Sequence, residues 1–309
     1  MMKRSLIASG LLLTVLFVGC ANQKQEVDPY RQIYPIQSVD TINITGDLNT
    51  RVIIGSSLNR VTTYGPISVS QSKDREMTIK PKRVTKKDTT VLVEIQRLQQ
   101  LNLSDMTNAN ISFQYQQSTN MNFDHLDQVA LSGPATIPNF DIDNVSNLNM
   151  NKKIHLENVK LGGTGSVTAQ DIYGSRVVID QSGSTMAKLR GYVGIATINQ
   201  KDSSSLDLFW AKSQEININA QNQSSATLAG YATKLIVNLS DSAKLDGTFL
   251  RTKNTNVTTE GHSQASVYAV DHLFARTLGQ STIYYFGQPK YIYKDNASGE
   301  GVILPGRPK

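Results

Sequence analysis

A short motif returns about every 20 residues through the second half of the chain, and a period of that length restricts the fold more than any other feature. It reads TGSVTAQ around Gly165, SGSTMAKLRG around Gly183, DSSSLDLF around Ser204 and QSSATLAG around Ser225. It continues as SDSAKLDG at Ser242, HSQASVYA at Gln264 and GQSTIYYFG at Ser281. Taking the apolar residue that ends each motif as an anchor gives Leu189, Leu208, Leu228, Leu245, Val267 and Tyr285, at intervals of 19, 20, 17, 22 and 18. One such unit cannot bury an apolar face by itself. Stacked units can bury a continuous core, so the repeat predicts a solenoid.

A second segment of period two lies between the anchors. Ile216, Ile218 and Ala220 fall on one face with Asn217 and Asn219 on the other, and Leu235, Val237 and Leu239 repeat the alternation. Stacked helices would need apolar residues at helical spacing, which no long stretch supplies. The leucine-rich-repeat signature and the calcium-binding glycine-aspartate nonapeptide are both missing. Gly191, Gly230 and Gly247 stand two residues after their anchors, where a corner needs permissive backbone. The expected fold is all-β: a single-stranded right-handed parallel β-helix (β-solenoid) with a less regular β-rich N-terminal part.

In the first half, Val39–Ile44, Arg51–Ile54, Val61–Tyr64, Thr90–Ile95, Leu101–Leu103, Ile111–Phe113 and Val129–Leu131 read as strands. The stretch from Gly133 to Gly165 exceeds one period, so it holds either a coil with an insertion or one whose motif has decayed.

Residues 1–19 carry Lys3 and Arg4 ahead of a short apolar run, the pattern of an export signal, and the run is too short to span a membrane. The chain's one cysteine, Cys20, follows Val18-Gly19 and resembles the acylated cysteine of a bacterial lipobox, although Phe17 stands where leucine is preferred. Acylation at Cys20 would supply more than one buried lipid chain, enough for stable anchoring. Ala21, rather than aspartate, follows it, which favours the outer membrane if the source is Gram-negative. Residues 20–36 read as lipidated cysteine and polar tether, 37–303 as the solenoid and 304–309 as a tail. The formal charge of +6 falls to about +4 once Lys3 and Arg4 leave, and the basic residues are scattered apart from Lys80, Lys82, Arg83, Lys86 and Lys87. That run reads as a loop, with a lipid-headgroup or anionic-glycan contact as the rival reading. Nucleic acid is not an expected partner of an exported chain with so diffuse a charge.

The opening segment from Ile42 to Gly65, LSGPATI at Leu131 and the serial Gly-Ser turns together resemble the bacterial GIN domain, named as the head of auto-transporter adhesins. The closing Tyr284–Pro289 and Ser298–Gly301 segments extend the resemblance over roughly Ile36 to Ile303. Ser203-Ser204 and Ser224-Ser225 depart from the usual Gly-Ser pairs. The resemblance implies export or lipidation and a parallel β-helical fold; it implies little about activity.

Parallel β-helices also carry pectin-acting lyases and hydrolases, which need clustered acids and a base on one coil face. Asp180, Asp202 and Asp241 precede turn serines by similar distances and would share a ridge with Lys201, with Gln221-Asn222 interrupting the row. The ridge reads either as turn capping or as a glycan- or cation-binding surface, with catalysis as a third reading. His125, His155, His262 and His272 lack metal-ligand spacing, so neither metal nor cofactor is expected. Trp210, Tyr284 and Tyr285 are candidates for sugar or protein contact, against the alternative that the C-terminal aromatics cap the solenoid's open end. The expectation is a non-enzymatic envelope protein for adhesion, binding or scaffolding, held to the membrane by lipid, with a glycan or an envelope or host protein as partner. The rival is a polysaccharide-active lyase or hydrolase.

Overall fold

The structure, a computed structural model, describes residues 31–82 and 89–306. The export signal, Cys20, most of the tether, and Arg83, Lys86 and Lys87 lie outside the described residues.

Twenty-one strands form one sheet, and the described residues contain no helix. The irregular part holds β1 (Arg31–Pro35), β2 (Thr41–Thr45), β3 (Asn49–Ile54), β4 (Arg60–Tyr64), β5 (Ile67–Gln71), β6 (Glu76–Pro81) and β7 (Thr90–Ile95). Long strands follow: β8 (Gln100–Phe113), the short β9 (Gln117–Ser118), β10 (Asn120–Ser132), β11 (Ala135–Asn151), β12 (Ile154–Gly162), β13 (Thr164–Gln181) and β14 (Ser184–Gln200). The series ends with β15 (Ser205–Ala220), β16 (Ser225–Leu239), β17 (Lys244–Thr259), β18 (Gln264–Leu278), β19 (Thr282–Phe286), β20 (Tyr291–Ser298) and β21 (Val302–Pro305). From β8 onward each strand pairs in parallel with the next coil, producing a parallel β-solenoid of about 11 coils. At about 4.8 Å per coil the stack is about 50 Å long.

Register makes the core. Leu101, Met121, Phe140, Val159, Ile179, Ile198, Ile218, Val237, Val257 and Ala275 stand one above another and all are buried. Fully burying an aliphatic side chain of this size stabilises by about 1.5–3 kcal/mol, so the ladder is the main source of cohesion. Phe123 and Phe140 meet edge to face at 5.3 Å, a favoured aromatic arrangement.

The anchor series needs one correction. Leu189, Leu208 and Leu228 share a column, but the next member is Gly247, one past the Thr227–Asp246 pair, and Gly247 in turn pairs with Val267. Leu245 belongs to the column of Leu206, Ala226 and Ala265. The irregular 17 and 22 residue intervals therefore came from following the larger side chain; the true steps across this column are 18 to 20. Gly247 is a buried strand residue without positive φ, whereas Gly191 and Gly230 are corners with φ of 152° and 138°. Likewise Gly133 to Gly165 holds no insertion. Ala135 pairs with Ile154 and Leu148 with Val167, so that coil is complete and only its motif has decayed.

One corner is left-handed in every coil. Asp105, His125, Asn144, Gly163, Gly183, Asp202, Asn222, Asp241, Gly261, Gly279 and Gly299 recur every 18 to 20 residues with φ between 51° and 85°. That region favours Gly and tolerates Asn and Asp, which explains the composition of the column. Two residues on, the chain turns inward through Thr185, Ser204, Ser224, Ser263 and Ser281, all buried. The hydroxyls of Thr185, Ser224 and Ser263 donate to the carbonyls of Ser182, Gln221 and Glu260, at 3.0, 2.8 and 2.7 Å. The serine of the repeat is thus an internal turn device.

The N-terminal part doubles back. β2 and β3 pair in parallel with β8 on one edge, and with β6 and β7 on the other. Antiparallel β5 on β6 and β4 on β7 close that end, and β1, within the segment read as a tether, pairs antiparallel with β4. At the opposite end the position after Ala275 in the core ladder is Lys294, whose ammonium lies 4.7 Å from the Tyr285 ring centroid and donates to the Ile303 carbonyl. A cation on an aromatic face at the last coil discourages further stacking.

Candidate binding surface

The acidic ridge resolves into neighbouring columns. Asp202 and Asp241 share the left-handed corner two coils apart, with Asn222 between them. The Asp202 carboxylate accepts the Gly183 backbone N–H at 3.0 Å, and that of Asp241 accepts the Asn222 N–H at 3.1 Å. Asn222 also donates through Nδ2 to Asp202 at 3.2 Å, so it continues the row that the sequence reading had it interrupt. These are turn-capping contacts between coils. Asp180 lies in the neighbouring column, on the outward face of β13 in register with Asn199, and lines one groove with Lys201. Lys201 is exposed beside the corner, with its backbone N–H on the Gln181 carbonyl.

Asp180 begins an amide ladder. Asn199 donates to Asp180 at 2.7 Å, Asn219 to Asn199 at 2.9 Å and Asn238 to Asn219 at 3.1 Å. Below it, Lys160 pairs with Asp141 at 3.1 Å. A groove of about 690 Å³ runs along the ladder, with Lys201 and Glu260 on its rim. Each amide spends a donor on the coil before it, so the ladder ties coils together.

The second corner differs in character. It is a stack of register shifts, where the strands bulge at Asp171, Gly191 and Trp210 and the next coil shifts just before the left-handed Gly230. Trp210 is left-handed, with φ of 74°. Tyr173, Tyr192, Trp210, Tyr231 and Phe249 project from successive coils here, and Tyr192, Trp210 and Phe249 are 80%, 65% and 73% exposed. Tyr173 and Tyr192 are in register, Arg190 lies 5.8 Å over the Phe209 ring, and His155 stacks on Tyr173 at 5.0 Å. Of this set only Trp210 stands out as a contact candidate in the sequence; the Gly-Tyr dipeptides at Gly191-Tyr192 and Gly230-Tyr231 carry the signal for the others.

The other two aromatic candidates sit apart from this corner. Tyr285 packs on the end of the core beneath Lys294, and Tyr284 faces outward between Ser266 and Leu304. Near them, His272 stacks on Tyr291 and Phe274 on Tyr293, each at 4.8 Å. Beside the aromatic corner, a hydrogen bond from Lys234 holds the Glu215 carboxyl below the usual carboxylate range, with a second from Asn217. Among the described residues no group of three or more His, Cys, Asp or Glu is placed to hold a metal.

Comparison with known proteins places a family likeness over this surface. Residues 196–289 match the family described as "Putative auto-transporter adhesin, head GIN domain". That span includes Trp210, Tyr231 and Phe249, and it is narrower than the resemblance read from the sequence. Comparison with curated proteins finds no match. Among solved structures, a "putative adhesin" from Bacteroides fragilis is 15% identical, covering 89% of this chain and 94% of its own at a TM-score of 0.30. A "putative lipid binding protein" from Parabacteroides distasonis is 14% identical, with coverage of 91% and 98% and a TM-score of 0.30. A "putative adhesin" from Parabacteroides merdae is 13% identical, with coverage of 90% and 95% and a TM-score of 0.31.

Proposed function

We propose that this chain is a non-enzymatic binding or adhesion module of the bacterial cell envelope, held to a membrane by lipid on Cys20 and presenting its aromatic corner to a partner. The observation that carries the reading is the set of exposed aromatic side chains at that corner, one from each of five successive coils. Clustered exposed apolar side chains mark interaction surfaces, whereas singly scattered ones are ordinary. The match of residues 196–289 to an adhesin-head family supports the same reading. The rival lyase or hydrolase reading would need acids free for chemistry, and the carboxylates of Asp202 and Asp241 are engaged as turn caps.

Adhesion of cells carrying the chain, compared with cells lacking it, to mucin, envelope glycans and host-cell layers tests the function. Reduced attachment with no release of soluble sugars is expected; unchanged attachment, or cleavage of an acidic polysaccharide, would overturn the proposal. For the anchor, Cys20→Ser is expected to move the protein from the membrane to the soluble fraction and to remove the acyl mass. A variant that stays membrane-bound and lipidated would refute it.

A further inference from the structure

Trp210 occupies a position that folding does not favour. A bulky residue at φ 74° sits in the left-handed region, which costs of order 1–3 kcal/mol, and the corners at Gly191 and Gly230 take glycine. The chain's sole tryptophan is also 65% exposed there, so burial returns little of that cost. Strain and exposed apolar surface persist together where a ligand uses them.

The surroundings indicate which ligand. Coils lie about 4.8 Å apart, and along one column Lys212, Tyr231, Arg251 and Tyr268 follow one another, so that rings recur on every second coil, roughly the span of two pyranose units. Beside the ridge runs a groove of about 700 Å³ whose walls include Tyr231, Arg176 and Lys212, with Ser213, Gln214 and Asn217 supplying hydroxyl and amide groups. That volume lies within the range of small-ligand clefts. Unpaired cations gather along this corner. Arg176, Arg190, Lys212 and Arg251 are exposed and form no ion pair among the described residues. Two acids beside them are engaged: Glu215, on the groove wall, pairs with Lys234 at 3.1 Å, and Asp171 accepts the Lys153 backbone N–H at 3.3 Å; exposed Glu157 faces the Arg176 end. Register places Lys212 beside Tyr231 and Arg251 on the next coil. Cations alternate with rings along the ridge.

We infer that the second corner binds an extended acidic polysaccharide, a uronate-bearing glycan lying parallel to the rod axis, with sugar faces on Trp210 and its neighbouring tyrosines and carboxylates on Arg190, Lys212 and Arg251. This deepens the binding-module reading and rests on it.

The sole tryptophan supplies the readout. Full-length protein in detergent is titrated with oligogalacturonate, following Trp210 emission and calorimetry, against a neutral oligosaccharide of equal length, single-stranded DNA and vesicles of anionic lipid. Saturable binding to the oligouronate alone is expected, weakening with added salt. Trp210→Gly relieves the left-handed strain, so its denaturation midpoint should stay or rise while affinity, read by calorimetry, falls about tenfold or more, the loss of one stacking contact. Lys212→Gln with Arg251→Gln should weaken binding similarly and flatten the salt dependence. Equal binding of the neutral oligosaccharide, preference for DNA or vesicles, or wild-type affinity in Trp210→Gly would overturn the inference. The parent reading is separable. If oligouronate fails to bind but Trp210→Gly still abolishes cell attachment, the acidic glycan is wrong and the binding module stands; if attachment is also unchanged, both fall.

Discussion

At the residue scale, the corners decide what is tolerated. Asp241 is left-handed at φ 60° in a column where Gly261, Gly279 and Gly299 take the same conformation. Asp241→Gly forfeits an exposed carboxylate cap but removes backbone strain, so its denaturation midpoint should stay within about 0.5 kcal/mol of wild type. Asp241→Val places a β-branched residue where it is least welcome and should lose about 1–3 kcal/mol in urea unfolding. Equal stability of the two variants would show that the column is not conformationally selected. Gly191 is subject to a different limit, because a Cβ there would lie 1.9 Å from the Ile172 carbonyl oxygen.

At the element scale, a second inward column, two residues along from the core ladder, becomes polar above Leu161, which pairs with Gln181. Gln181 and Gln200 are buried in positions that Ala220 and Leu239 fill in the next coils. Gln181 donates to the carbonyls of Thr185 and Ser205, and Gln200 donates to Gln181 and to the Ser225 carbonyl. The Gln200 side-chain oxygen is buried and has no hydrogen-bond partner. Gln181→Leu alone should cost about 1–3 kcal/mol, because it removes the acceptor of a buried amide. The double change to Leu at both positions should cost less than the single one, since the unpaired oxygen leaves with its amide. A double-mutant cycle by chemical denaturation measures this; additive losses would refute the coupling.

At the scale of the whole molecule, the two ends behave differently from the middle. The N-terminal end is closed by antiparallel strands, and the far end by Tyr285, Lys294 and the β21 strand. Deleting residues 280–306 should expose the buried ladder of β18 and its unpaired strand edge, producing concentration-dependent association in light scattering. A truncated protein that stays monomeric would show that the cap is dispensable. Single surface ion pairs contribute little at this scale: Lys234 and Glu215 are 43% and 45% exposed and are screened by solvent.

The coil, its length and its inward aliphatic columns were legible in the sequence, because a 20-residue period and a period of two are both local signals. The repeat serines and the glycine or aspartate corners were legible as turns for the same reason. What sequence could not supply was register between coils. It placed Leu245 in the wrong column, because only strand pairing shows that a glycine can hold a leucine's place. It put Asp180 on a ridge with Asp202, because similar spacing does not distinguish an outward strand position from a corner. It found Trp210 and missed Tyr192 and Phe249, because bulges shift each strand and bring residues at unlike positions in the motif onto one edge. Local chemistry determined the coil, and the stacking of one coil on the next decided the surface.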